Sequence, residues 1–158
     1  MVNIITGEIQ SGKTTYLLNL IKDSFSGKTI AGYTTKRILD NSNFIIGFSF
    51  KTFTTNREIL FAHSQQKIGN KKFGNYFVNE NSFVKLIDEI KKVFEPDLLV
   101  FDELGKMEIN NNYFVNQIKL FVRNYPLSFI VIQKRVLDFW LEKLEIEAYN
   151  LKIIEKIS

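Results

Sequence analysis

The sequence contains no cysteine and a single histidine, His63. These absences exclude a disulfide framework, thiolate nucleophiles and zinc-finger or iron–sulfur sites, and they leave no histidine cluster for a catalytic metal. Any metal is therefore expected to be oxygen-bound. No apolar run approaches the roughly 18 residues that a membrane span needs, and Met1-Val2-Asn3 lacks the basic start of a signal peptide. The expectation is a cytoplasmic chain with no membrane partner. Proline is scarce, with only Pro96 and Pro126, and each is expected to end a helix. No internal repeat or low-complexity linker interrupts the chain.

What is present favours a packed core. The 158 residues are 45% hydrophobic, with phenylalanine as the main aromatic. A chain of this length buries about two-thirds of its unfolded surface, so a single domain over residues 1–158 is expected and disorder is not. The formal charge of +4 favours polyanionic ligands. The lysines are scattered, with denser groups at Lys67/Lys71/Lys72 and Lys91/Lys92, so nucleic acid is possible but not indicated.

The organising stretch is Gly7-Glu8-Ile9-Gln10-Ser11-Gly12-Lys13-Thr14-Thr15, which matches G-x-x-x-x-G-K-[ST] between a short apolar strand and an amphipathic helix. Gly7 and Gly12 let the backbone turn, so that N–H groups from about Gln10 to Thr15 face phosphate oxygens. Lys13 supplies an ammonium for the β- and γ-phosphates, and Thr14 offers a hydroxyl to Mg²⁺. Thr15 is assigned to the α-phosphate. The following helix, read as Thr14 to about Phe25, adds the positive end of its dipole.

Further along, Lys28 to Thr35 reads as a strand, Asp40 to Asn43 as a turn, and Phe44 to Phe53 as a second strand with Phe44, Ile46, Phe48 and Phe50 on one face. The pair forms a hairpin, to which Arg57–His63 adds a third antiparallel strand. Residues 64–75 read as a polar, basic loop and Tyr76–Asn79 as a short strand. Asn81-Ser82 caps a helix whose face is Phe83, Leu86, Ile87, Ile90 and Phe94. Asp97–Phe101 is a strand buried on both faces of a parallel sheet. A helix through Phe114, Ile118, Phe121 and Val122 follows, then a buried strand over Leu127–Ile132, a helix near 136–144 and a last strand near 149–154. The fold class is α/β with a mainly parallel central sheet and an antiparallel hairpin extension.

The strand ending at Phe101 runs into Asp102-Glu103, and ligands in open α/β sheets gather at the carboxyl ends of strands. Asp102 is assigned to Mg²⁺, directly or through water. Alternation places Glu103 on the opposite face, so it is given a separate task, orienting and deprotonating the attacking water. The plainer alternative is that the two carboxylates only solvate a strand end.

These residues carry a resemblance. The N-terminal P-loop, Gly32-Tyr33 with Thr35, Gly47-Phe48, Lys67-Ile68-Gly69, Phe73 to Val78 and, above all, Phe101-Asp-Glu-Leu-Gly-Lys-Met-Glu108 resemble the small nucleoside-triphosphatase family first described from thermophiles. That family includes the human cancer-related nucleoside-triphosphatase and is related to nucleotide kinases. The resemblance implies a three-layer P-loop NTPase with a RecA-like core and slow Mg²⁺-dependent hydrolysis of ATP, GTP, CTP and UTP to diphosphate and phosphate. It carries Lys13 and Thr14 over as phosphate and metal residues, Asp102 as the metal-shell acid and Glu103 as the base. The chain departs from the family at Lys36-Arg37-Ile38-Leu39, where acidic residues and then an arginine are usual, so the γ-phosphate side is built differently.

A γ-phosphate transition state benefits from an arginine. Arg135 is preferred because it follows the end of a buried strand, with Lys134 as a substitute. His63 reads as a strand-end or surface residue. Tyr33 and Tyr76 are both open as base-stacking residues. Two other functions share the same phosphate site: a nucleotide or polynucleotide kinase, and a non-hydrolysing nucleotide-gated binding module in which residues 64–75 respond to the triphosphate.

Overall fold

A computed structural model describes residues 1–155. Among the described residues nine strands form one sheet: β1 (Val2–Gly7), β2 (Ile30–Leu39), β3 (Ile45–Thr52), β4 (Glu58–His63), β5 (Lys71–Phe73), β6 (Tyr76–Val78), β7 (Leu98–Leu104), β8 (Ser128–Gln133) and β9 (Asn150–Ile154). Their order across the sheet is β5-β6-β4-β3-β2-β7-β8-β1-β9. The half from β2 to β9 is parallel throughout. The half from β2 to β5 is antiparallel throughout.

The sheet is therefore mixed in equal parts, which corrects the expectation of a mainly parallel sheet with a hairpin added. The antiparallel half grew because β6 pairs with β4, and because β5 forms inside the segment read as a loop. The two lysines of β5 are exposed and Phe73 is half-buried, so the strand leaves no alternating apolar signal.

Helices cover both faces. Alternation sorts the parallel strands between them: Leu98, Val100, Phe129 and Val131 pack with Leu17 of helix α1 (Lys13–Ser24). Leu99, Phe101, Ile130 and Ile132 face the larger core beneath α2 (Asn81–Lys91) and α4 (Asn112–Asn124). Each such strand is buried on both sides, which is why it reads as an unbroken apolar run. Helix α2 ends before Phe94, which is 85% exposed and does not extend the buried face of Phe83, Leu86, Ile87 and Ile90. Asn111 caps α4, its side chain accepting from the Phe114 N–H at 2.9 Å, a contact worth about 1 kcal/mol.

The antiparallel half is held to these helices by aromatic packing. Phe50 stacks on Phe61 with centroids 3.9 Å apart, Tyr33 and Phe83 meet Phe50 edge-on, and Phe114 lies stacked beside it. Burial of rings this size dominates core energetics. The consequence for function is positional: β2 is fixed beside β7, with Gly32 opposite Val100 and Tyr33 opposite Phe101, so residues 35 and 37 are carried to the end of the sheet where Asp102 lies.

Candidate phosphate-binding site

The glycine-rich loop joins β1 to α1, and its shape follows from two left-handed residues, Gln10 and Gly12, with φ of 60° and 93°. Thr6 anchors the end of β1 by donating its hydroxyl to the Ile132 carbonyl at 2.7 Å. Lys13 is 4% exposed and donates Nζ to the Glu8 carbonyl at 2.6 Å. Gln10, Ser11, Gly12, Lys13, Thr14 and Thr15 form one wall of a cleft of about 420 Å³. The opposite wall is Thr35, Arg37 and Glu103. Gly7, Glu8 and Ile9 border a neighbouring recess with Gln133, Lys134 and Arg135.

Asp102 is fully buried at the floor. The Thr14 hydroxyl donates to its carboxylate, 3.1 and 3.0 Å from the two oxygens, and the Thr35 N–H donates to Oδ2 at 3.2 Å. The Thr35 hydroxyl also donates to the Asp102 main-chain carbonyl at 2.9 Å. Burial pushes the Asp102 carboxyl up to about 7, with repulsion from Glu103 adding to it and the Thr35 and Thr14 hydrogen bonds opposing it. Burial likewise lowers the pKa of Lys13, against the pull of Glu103 and Asp102.

Glu103 departs from the alternation argument. Phe101 pairs with Ile130 but Leu104 pairs with Ile132, so β7 carries one extra residue, and Glu103 absorbs it with φ at 63°. This is a bulge of the kind that re-aims a side chain. The left-handed conformation costs a non-glycine residue about 1–2 kcal/mol. The result is that Glu103 shares the cleft with the P-loop instead of pointing to the far face. Gln133, at the end of β8, donates Nε2 to Glu103 Oε1 at 3.3 Å.

Two residues of the cleft, Thr35 and Arg37, were named in the sequence but given no role there, and Gln133, which contacts Glu103 from the adjoining cavity, was given none either. Arg37 lies close enough to Lys13 to oppose its charge. The signal for it was the departure at Lys36-Arg37. Lys36 itself turns away and pairs with Glu58 at 3.6 Å. Arg135 lines an adjoining cavity with Gln133 and Glu103, and Lys134 sits 4.0 Å from the Glu8 carboxylate on the outer side. His63 ends β4 with Nδ1 accepting from the N–H groups of Gln65 and Gln66 at 3.0 and 2.9 Å, a turn-closing role. Tyr33 is wholly buried in the core, whereas Tyr76 borders the adjoining cavity.

The family model described as NTPase matches residues 3–156. The chain belongs to the NTPase family. Nucleoside-triphosphatase THEP1 of Sulfolobus acidocaldarius is 31% identical over 130 residues, covering 80% of this chain and 74% of that protein. The protein of the same name from Archaeoglobus fulgidus is 26% identical over 98% of this chain and 94% of its own length. The fold is similar to that of THEP1 from the hyperthermophile Aquifex aeolicus, with a TM-score of 0.76 at 22% identity over 98% of this chain and 90% of that one. It is also similar to a human cancer-related nucleoside triphosphatase, with a TM-score of 0.69 at 18% identity over 99% and 88% of the two chains. The membership makes this protein an enzyme of the nucleoside-triphosphatase family. No helix among the described residues is long and apolar enough to cross a membrane.

Just past Glu103 lies Glu108, the first residue after the bulge whose charge is strongly perturbed. It is buried in the short helix α3 (Lys106–Ile109), and its Oε2 accepts from the Gly105 N–H at 3.0 Å. Burial pushes its carboxyl from the usual 4.5 up to about 7, opposed by backbone N–H groups and reinforced by Glu103. A raised carboxyl pKa means that the folded state holds more protons than the unfolded state between those values. Stability therefore falls as pH rises across about 4.5 to 7, and nothing of this contribution remains above that window. Glu108→Gln is expected to remove this share while Asp102 keeps its own. Melting profiles from pH 4 to 8 test it: the variant should gain on the wild type with rising pH by on the order of 1–3 kcal/mol, and parallel profiles would contradict the assignment.

Proposed function

We propose that the protein hydrolyses nucleoside 5'-triphosphates, with broad base specificity across ATP, GTP, CTP and UTP, to the diphosphate and phosphate. The observation that carries this reading is that Glu103 lines one cleft with the P-loop, while Asp102 lies buried behind it in contact with Thr14. The loop N–H groups from Gln10 to Thr15 cradle the phosphates, with Lys13 at the β- and γ-phosphates. Gly7, Glu8 and Ile9 complete the nucleotide-binding loop from its strand side.

The donor set fits Mg²⁺. Thr14 and Asp102 present a hydroxyl and a carboxylate already in contact, both hard oxygen donors. Among the described residues no group of three or more His, Cys, Asp or Glu converges as a metal site, which suits an ion that takes one or two protein oxygens and fills its shell with water and phosphate. Bound there, Mg²⁺ would neutralise charge on the β- and γ-phosphates. Glu103 accepts the proton of the attacking water, and Gln133 holds the carboxylate in place.

Arg37 and Arg135 compete for the charge that develops on the γ-phosphate. Arg37 is favoured because it lines the phosphate cleft, while Arg135 lines the cavity beside it. The insertion of β8 between the P-loop strand β1 and the carboxylate strand β7 supports a RecA-like reading of the parallel half. A cytoplasmic location fits the substrate.

Phosphate release from the four triphosphates tests the reading. Release with Mg²⁺ should vanish with a chelator. Arg37→Ala should lose turnover by on the order of 10²-fold or more, with a smaller loss for Arg135→Ala. The reverse order would return the role to Arg135, and no release with intact nucleotide binding would overturn hydrolysis.

A further inference from the structure

A second cavity of about 230 Å³ opens beside the phosphate cleft and shares three residues with it, Thr35, Arg37 and Glu103. Its far walls are Phe48, Phe61, Phe73, Tyr76 and Met107. A water-delivering channel has no use for such a surface, because aromatic and thioether side chains offer a water little to bond. Those walls suit a flat ring that stacks. Polar groups stand at the other side: Gln133, Arg135 and the buried carboxyl of Glu108. The Gln133 Oε1 is buried with no hydrogen-bond partner, although buried acceptors are nearly always paired. It is available to a ligand N–H or O–H. An apolar pocket with a few convergent polar groups is the usual form of a small-molecule site, and this volume lies below the drug-sized range, which limits the occupant to about one ring.

We propose that this cavity holds a phosphoryl acceptor, a compound with one planar ring and a hydroxyl on a short arm, which takes the γ-phosphoryl group in place of water. The inference rests on the triphosphate reading above and names a second substrate class for that site. The ring stacks among Phe48, Phe73 and Tyr76, a ring N–H or O–H donates to Gln133 Oε1, and the hydroxyl lies at Glu103. In the transfer the acceptor oxygen bonds to the γ-phosphorus. The bond from that phosphorus to the bridging oxygen breaks, its electron pair leaving with the nucleoside diphosphate. The hydroxyl proton passes to the Glu103 carboxylate and then to solvent. One carboxylate thus serves water when the cavity is vacant and the acceptor when it is filled.

The test uses the full chain with Mg²⁺ and saturating AMP-PNP, so that a ring compound cannot be read as a base in the triphosphate site. 5-Hydroxymethyluracil, 5-hydroxymethylcytosine and 3-hydroxybenzyl alcohol, each one planar ring with an N–H or O–H and a hydroxymethyl arm, are titrated calorimetrically. At least one should bind at millimolar concentration or tighter, and with ATP it should yield a phosphomonoester by mass spectrometry, with diphosphate in excess of free phosphate. Met107→Trp, which fills the cavity, and Phe73→Ala, which removes a wall, should each weaken that binding by about tenfold or more while AMP-PNP affinity and hydrolysis without acceptor stay unchanged. Failure of all three compounds to bind the AMP-PNP-loaded wild type overturns the proposal, as does binding that survives both variants. Binding with diphosphate and phosphate still equal overturns the transfer step. AMP-PNP binding is read separately: its failure sinks the nucleotide reading and transfer with it, while titration of the free protein still decides whether the cavity takes a ring.

Discussion

Glu103→Gln is expected to bind nucleotide as the wild type does and to lose turnover by on the order of 10²-fold or more. The substitution keeps the side chain's shape, and its amide oxygen still accepts from Gln133 Nε2, which is 3.3 Å from Glu103 Oε1. What it removes is the proton acceptor. It also removes a negative charge that repels Asp102 and attracts Lys13. With that charge gone, the buried Asp102 ionises more readily, so the Thr14–Asp102 pair is not weakened as a metal site. Affinity for AMP-PNP and turnover should therefore separate. Single-turnover phosphate release alongside an AMP-PNP titration measures both. A turnover within about tenfold of wild type would take the base role from Glu103, and a parallel loss of affinity would make the residue a binding group instead.

The parts of this site that were legible in the sequence are local ones. The P-loop is a contiguous stretch whose residues meet because they are neighbours, and its strand and helix follow from an apolar run and a helical period. The buried strands β7 and β8 were legible for the same reason. Glu103 was assigned from sequence as the base, and the structure puts it in the cleft by a route that alternation did not foresee. Alternation would have turned it away from Asp102, and a bulge brings it back. A glutamate with positive φ leaves no mark in sequence, since glycine or asparagine is the residue that advertises such a turn. Thr35 and Arg37 were visible as parts of motifs, but their place in the cleft was out of reach because it depends on β2 lying beside β7, a pairing between segments more than 60 residues apart. The sheet's antiparallel half was under-read where β5 exposes two lysines, for pattern reports burial and this strand is scarcely buried.

That long-range pairing is the basis of the largest stability effect expected. Gly32→Ala should cost on the order of 3–5 kcal/mol and lower the melting temperature by on the order of 10 °C or more. Gly32 sits in β2 opposite Val100 of β7, with φ at 137°. A Cβ there would lie 1.8 Å from the Val100 carbonyl oxygen. The obstacle is backbone in the middle of a parallel pair, so it cannot swing aside as a flexible side chain does. Gly27 supplies the control: its φ is 79°, but nothing lies within 4 Å of its Cβ position, so Gly27→Ala carries only the left-handed cost of about 1–2 kcal/mol. Thermal denaturation followed by circular dichroism compares the two, and equal losses would refute the close-approach argument. The functional effect runs through the same contact. Relief of the clash must move β2 away from β7, which draws the Thr35 N–H and hydroxyl off Asp102 and carries Arg37 with them. Hydrolysis by Gly32→Ala, measured well below its melting temperature, should then fall further than the folded fraction does, whereas Gly27→Ala should track its folded fraction.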